Sequence, residues 1–338
     1  MHMADALISP AVGGVMFAVS AVGIGYAVKQ TAKDTLDEKK IPMMGVMGAF
    51  IFAAQMINFT IPGTGSSGHI GGGILLAALL GPYPALITLS SVLLIQCLFF
   101  ADGGLLALGC NIFNLGILVC IFAHNLIFKP ILKKGINKKR IVTASILSVT
   151  IGLQAGAFFV VVQTMLSGIT ELPFGAFLLL MQPIHLAIGL AEGIVTAAVL
   201  CYVHSARPEL LDSVTENAPI PAKVSVKRTV AVFALLAVIT GGVLSLFASG
   251  NPDGLEWSIE RVAGVFHFER EGIAHTTASS LVESTAFMPD YSFANEEDGS
   301  MVGTSAAGLI GGTITLLLSL GTGMTVRAIA IRKKKEKA

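Results

Sequence analysis

The chain has 338 residues, 54% of them from the set AVILMFWYC and only 13% charged, about half the charge density of an ordinary soluble domain, which excludes a water-soluble fold. Its 22 Lys and Arg against 21 Asp and Glu leave a net charge of +1, so no basic excess points to nucleic acid as a partner. Cys97, Cys110, Cys120 and Cys201 all lie in apolar runs without C-x-x-C spacing, and read as small buried hydrophobes rather than a disulfide framework or a zinc site.

A helix needs about 20 mostly apolar residues to cross the hydrocarbon layer of a bilayer. Residues 1–9 read as a short lead on the outer face, ended by Ser9-Pro10 as an N-cap followed by proline in the first helical turn. Nine apolar segments follow, at about 10–28, 42–59, 68–82, 84–100, 107–128, 141–166, 174–204, 229–248 and 303–326. The third is short and carries Gly71-Gly72-Gly73, and Pro82 and Pro84 leave almost no loop before the fourth. These two are either full spans or a broken, re-entrant pair. No Lys or Arg precedes the first stretch, the reverse of a cleaved signal peptide, so the amino terminus is expected to be retained.

Basic residues then orient the chain. Lys29 to Lys40, Lys129 to Arg140, Arg207 to Arg228 and Arg327 to Lys337 together hold 20 of the 22 Lys and Arg. Nine alternating spans place all four groups in the cytoplasm, with the amino terminus outside and the carboxyl terminus inside. The expectation is an all-α, polytopic membrane helix bundle of seven plus two segments. Residues 1–204 form the first part, 205–228 a cytoplasmic linker with Pro208, Pro219 and Pro221, and 229–338 two helices flanking the outer loop 249–302. Ten acidic residues in that loop outnumber Arg261 and Arg270.

Met1-His2 carries the first chemistry. A free α-amine, the next peptide nitrogen and the Nδ1 of a second-position histidine can chelate one metal in a five- and a six-membered ring. Ni(II) and Cu(II), which favour tetragonal nitrogen fields, can drive the peptide deprotonation that this requires. One in-plane position stays open. His69, after the second span, falls on the same outer side and can fill it. Asp102, Asn111 and Asn114 lie at the outer end of the fourth and fifth spans, where they can orient a metal-binding histidine or join helices, with joining the preferred role for the asparagines. His185 and Glu192, seven apart, share one face of the seventh span; Glu192 suits a coupling surface, a proton path or a paired structural carboxylate. His124 and His204, near cytoplasmic helix ends, suggest no function, and His267 and His275 in the acidic loop can at most gather cations weakly. No G-x-x-x-x-G-K-[ST] and no H-E-x-x-H occur. Gly65-Ser66-Ser67-Gly68 fits the loose G-x-S-G pattern of rhomboid-type intramembrane proteases, with His185 as a conceivable base.

Three stretches carry a resemblance: Met1 to Pro10, Gln55-Met56-Ile57-Asn58-Phe59 through Pro62 to Ser67-Gly68-His69, and Asp102-Gly103-Gly104 to Asn114. Over about residues 1–205 the chain resembles the CbiM/NikM substrate-binding subunits of energy-coupling factor transporters for cobalt and nickel. Residues 225–330, with Pro252-Asp253-Gly254-Leu255-Glu256, look like the small N subunit of these systems, fused behind the first. The resemblance implies metal ligation by Met1, His2 and His69, with Asn58 and Ser67 in the motif that presents the loop histidine. It implies a non-enzymatic, multi-pass protein of a prokaryotic plasma membrane that carries Ni(II) or Co(II) as transported ligand, without a cofactor. It also implies two partners, a transmembrane coupling (T) subunit and cytoplasmic ATPases. An ion-gradient-driven transporter using Glu192 is the main alternative, and a rhomboid-like protease a further one.

Overall fold

The computed structural model describes residues 2–33, 37–266, 268, 271–293 and 301–335. Met1 and His267 lie outside the described residues. The chain is a multi-pass helical bundle. In order it runs through α1 (Pro10–Lys33), α2 (Lys40–Gln55), a hairpin of β1 (Phe59–Ile61) and β2 (Ser66–Gly68), α3 (Gly73–Leu80) and α4 (Pro82–Phe100). Next come α5 (Leu108–Lys133), wound as a wider π-helix over Ile112–Phe128, α6 (Lys138–Ser167) and α7 (Phe174–Ala206). The remainder is α8 (Pro208–Thr215), α9 (Lys227–Gly242), α10 (Gly254–Ala263), α11 (Ile273–Thr285) and α12 (Met301–Lys335). Among the described residues, six helices are long and apolar enough to cross a membrane: α1, α4, α5, α6, α7 and the Met301–Arg332 part of α12.

The third expected span takes the broken form. Its helix, α3, has only 8 residues, about 12 Å of rise against a hydrocarbon core of about 30 Å. Residues 69–72 enter without helical structure, and a non-helical backbone is tolerated at such depth only when its polar groups are satisfied inside protein. Here they are. Glu192 of α7 accepts hydrogen bonds from the amides of Gly71 and Gly72, both at 2.8 Å, and Gln55 Nε2 donates to the Gly71 carbonyl at 2.8 Å. At its far end α3 meets the basic side of the molecule, where Leu80 and Pro82 line a cavity of about 1300 Å³ together with Lys39, Lys129 and Arg327.

Two segments outside the long helices are ordered. The linker is folded: α8 begins on Pro208 and buries Leu210, Leu211 and Val214, and Lys39 Nζ donates to the Pro221 carbonyl at 2.7 Å. The amino-terminal lead, expected on the outer face, buries Met3, Leu7 and Ile8. Apolar side chains in a lead nine residues long gain more by entering the bundle than by lying against the outer face.

The C-terminal helices pack on the same core. α2, buried along nearly its whole length, lies between α4, α9 and α12. α9 and α12 touch backbone to backbone: a Cβ on Gly308 would sit 2.2 Å from the Gly241 carbonyl oxygen. Gly308→Leu should therefore cost about 1–3 kcal/mol by forcing the helices apart. Thermal unfolding in detergent reads this as a lowered Tm, whereas Gly14→Leu, with nothing within 4 Å of its Cβ, should leave Tm unchanged.

Candidate metal site

Local turn chemistry presents the loop histidine. Thr64 Oγ1 donates to the Ile61 carbonyl at 2.8 Å and accepts from the Ser66 amide at 3.0 Å, closing the hairpin. Residues 251–253 then add to it: the Ser67 amide donates to the Pro252 carbonyl at 2.8 Å, and Ser67 bridges Asp253 in parallel. Ser67 Oγ donates to the Asn251 carbonyl at 2.8 Å and to that of Pro252 at 3.2 Å. Trp257 Nε1, on α10, donates to the Thr64 carbonyl at 3.0 Å. Asp253 and Glu256 form a reciprocal capping box at the start of α10, which fixes the entry of that helix.

The second histidine arrives on the lead. The Met3 amide donates to Asn111 Oδ1 at 2.8 Å, and the Met3 carbonyl accepts from Asn111 Nδ2 at 3.2 Å and from the Gly104 amide at 2.9 Å. Asp5 Oδ1 accepts from the Ala107 amide at 2.9 Å. Gly104 lies so close that a Cβ there would fall 1.9 Å from Asp5 Oδ1, so no larger residue fits. His275 Nε2, on α11, lies 3.0 Å from the Ile8 carbonyl and clamps the other end of the lead. Its expected part in gathering cations gives way to this contact, because the ring is buried.

With register set at both ends, the rings of His2 and His69 stack, 5.0 Å between centroids and 12° between planes. His2 Nδ1 lies 2.9 Å from Asp102 Oδ1. Asp102 Oδ2 in turn accepts from the Tyr291 hydroxyl at 2.5 Å. Tyr291 stacks on Phe100 at 5.0 Å, and both it and Asp290 have positive φ, 58° and 49°, a left-handed backbone that non-glycine residues hold at a cost of about 1–3 kcal/mol each. Desolvation alone would raise the Asp102 carboxyl, but the His2 imidazole and the Tyr291 hydroxyl hold it well below the usual carboxylate range. His69 is buried, and its uncharged imidazole can offer a lone pair.

The remaining candidates separate. Asn111 holds the backbone of the lead, whereas the preferred expectation gave it helix joining; its amide has the donor and acceptor that an unpaired peptide needs. Asn114 does join helices, pairing with Gln163 of α6 at 2.8 and 3.2 Å, and its Nδ2 also lies 3.8 Å from Met3 Sδ. Asn58 contributes its main-chain carbonyl, which accepts from the Ser249 amide at 2.7 Å. Glu192 serves the entry of α3, and His185 Nδ1 lies 2.7 Å from the Met181 carbonyl. Ser67 Oγ is turned to Asn251 and Pro252, and among the described residues it makes no hydrogen bond to His185. Among the described residues no three His, Cys, Asp or Glu side chains converge as a metal cluster, so a site on the two stacked imidazoles needs further donors from the backbone.

A family model for the cobalt uptake substrate-specific transmembrane region, CbiM, matches residues 2–210, and a PDGLE domain model matches residues 227–328. The chain belongs to the CbiM family. A putative fused nickel transport protein NikMN of Archaeoglobus fulgidus is 31% identical to it over 94% of this chain and 96% of the relative. A fused nickel transport protein NikMN of Rhodobacter capsulatus is 31% identical over 77% of this chain and 76% of the relative. A crystal structure of a transition metal transporter, 29% identical, superposes with a TM-score of 0.54 over 61% of this chain and 93% of that one. The CbiM-family part holds both stacked histidines, and the PDGLE part supplies Asn251, Pro252, Trp257, His275 and Tyr291 around them. Of these contacts Tyr291 had no sequence signal: it is 189 residues from its carboxylate partner.

Proposed function

We propose that this CbiM-family protein captures Ni(II) or Co(II) at the outer face of a prokaryotic plasma membrane, as the metal-specific component of an energy-coupling factor uptake system. The observation that carries this is the stacked His2–His69 pair, brought together from a chain end and a hairpin and tied to Asp102. In the proposed site the α-amine of Met1, the deprotonated amide of His2 and His2 Nδ1 bind the ion in one plane, and His69 completes the plane. Nδ1 faces Asp102 in the structure, so the ring turns when metal binds. Nε2, which is buried and has no partner among the described residues, then carries the proton and can donate to Asp102. That carboxylate stabilises the imidazole as a ligand and sets its tautomer.

The chain carries no P-loop, so the energy is proposed to come from a coupling subunit and ATPases encoded separately. The test has two parts. The purified protein should hold one equivalent of Ni(II) or Co(II), and His2→Ala should lose it almost wholly while His69→Ala loses part. Vesicles containing the chain with its coupling and ATPase subunits should take up metal on addition of ATP. Uptake by the chain alone under a proton gradient would instead favour a gradient-driven transporter, and parent-like metal content in both variants would remove the site.

A further inference from the structure

We propose that His185 and His69 form a second, inner metal position, into which the ion passes when it leaves the amino-terminal chelate. The inference rests on the capture site proposed above, but it adds a residue that site does not use, His185, and the cavity that residue lines. His185 lies on α7, is 1% exposed, and lines a small cavity of about 10 Å³ together with His69, Leu115, Leu153 and Ile188. That volume is about what one water-sized occupant needs.

The ring chemistry favours a cation. Nδ1 faces the Met181 carbonyl at 2.7 Å; a carbonyl only accepts, so Nδ1 carries the proton and Nε2 presents its lone pair. Nε2 is buried with no hydrogen-bond partner among the described residues. An imidazole whose far nitrogen is fixed on a backbone carbonyl, with the near one bare, is prepared for metal. A structural water would seek about three polar partners, and the aliphatic wall supplies few.

Position in the bundle gives the cavity a direction. His69 belongs to both the stacked pair and the cavity wall, so an ion on His69 exchanges His2 for His185 without leaving that ligand. Glu192 lies two helical turns further along the same face of α7, about 10 Å on, and its carboxylate holds the amides of Gly71 and Gly72 at the start of α3. The ion path then follows the broken segment from His69 past His185 towards Glu192. Apart from the two imidazoles the cavity is lined by Gly, Leu and Ile, which makes a loose site, as a transit position requires.

The test compares the full-length parent with His2→Ala, His185→Ala, His185→Gln and His2→Ala combined with His185→Gln. Both His185 variants should keep one equivalent of Ni(II) at equilibrium, yet lose at least about tenfold in uptake when assembled with the coupling and ATPase subunits. In the His2→Ala background, millimolar Co(II) should still bind weakly, with a visible absorption spectrum, and adding His185→Gln should abolish that spectrum. Parent-like uptake by His185→Gln would mean that the cavity needs only a hydrogen-bonding group, and would overturn the proposal. So would identical Co(II) spectra from His2→Ala and the double variant, or loss of the equilibrium equivalent in both His185 variants. Tight, parent-like binding by His2→Ala alone would instead refute the capture site, so the two readings fail separately.

Discussion

One residue added ahead of Met1 should reduce nickel uptake by more than the roughly 10–100-fold that losing a partner behind a metal ligand costs, even when some metal stays bound to the extended peptide. The proposed chelate uses the α-amine and the amide of residue two, so it depends on chain position as well as on side chains. An extension turns the amine into an ordinary amide and moves the histidine to position three. Such a peptide can still wrap metal with its own amides and imidazole, but it then fills the plane that His69 should complete. The lead cannot slide outwards to compensate. Met3 is fully buried and its amide and carbonyl are both held by Asn111, while the Ile8 carbonyl meets His275. Acetylation of the amine removes one donor without touching a side chain and should weaken binding in the same direction. Radioactive nickel uptake into vesicles, beside a chain extended after Ala338, checks the result. Native uptake by the amino-terminally extended or acetylated protein would exclude the amine as a ligand.

Asp102→Ala should weaken Ni(II) binding about 10–100-fold, the range seen when a carboxylate behind a metal-bound histidine is lost. Two effects add. His2 loses the acceptor that orients its ring, and the half-buried Tyr291 hydroxyl loses the carboxylate that holds it at 2.5 Å. Tyr291→Phe should cost less, about tenfold or below, because Asp102 keeps its bond to His2. Asp102→Asn should fall between them, since the amide keeps the shape and loses the charge that holds the imidazole. Competition titrations with a chromophoric chelator read all three. Tighter binding by Asp102→Ala would mean that the carboxylate blocks Nδ1 instead of supporting it, and would reverse its proposed role.

The membrane-spanning character was legible in composition and in the long apolar runs, because burial in lipid demands about 20 apolar residues whatever the neighbours are. A weakness at 68–82 was legible, since three glycines in a row weaken a helix locally, but whether that segment spans or breaks stayed open in the sequence until the structure gave it a helix of only 8 residues ahead of a full-length α4. His2 and His69 met on one face in a count of lysines and arginines that used neither histidine, and the structure stacks their rings. Those features act within one segment or through a property summed along the chain. The burial of the lead, the grip of Asn111 on Met3 and the bond from Tyr291 to Asp102 do not. Their partners are 108 and 189 residues apart, and such hydrogen bonds leave no period in the sequence. An asparagine that joins two helices and one that pairs with a buried peptide have the same side chain and the same apolar neighbours; only packing, by bringing an unpaired backbone amide and carbonyl against Asn111, decided which it is.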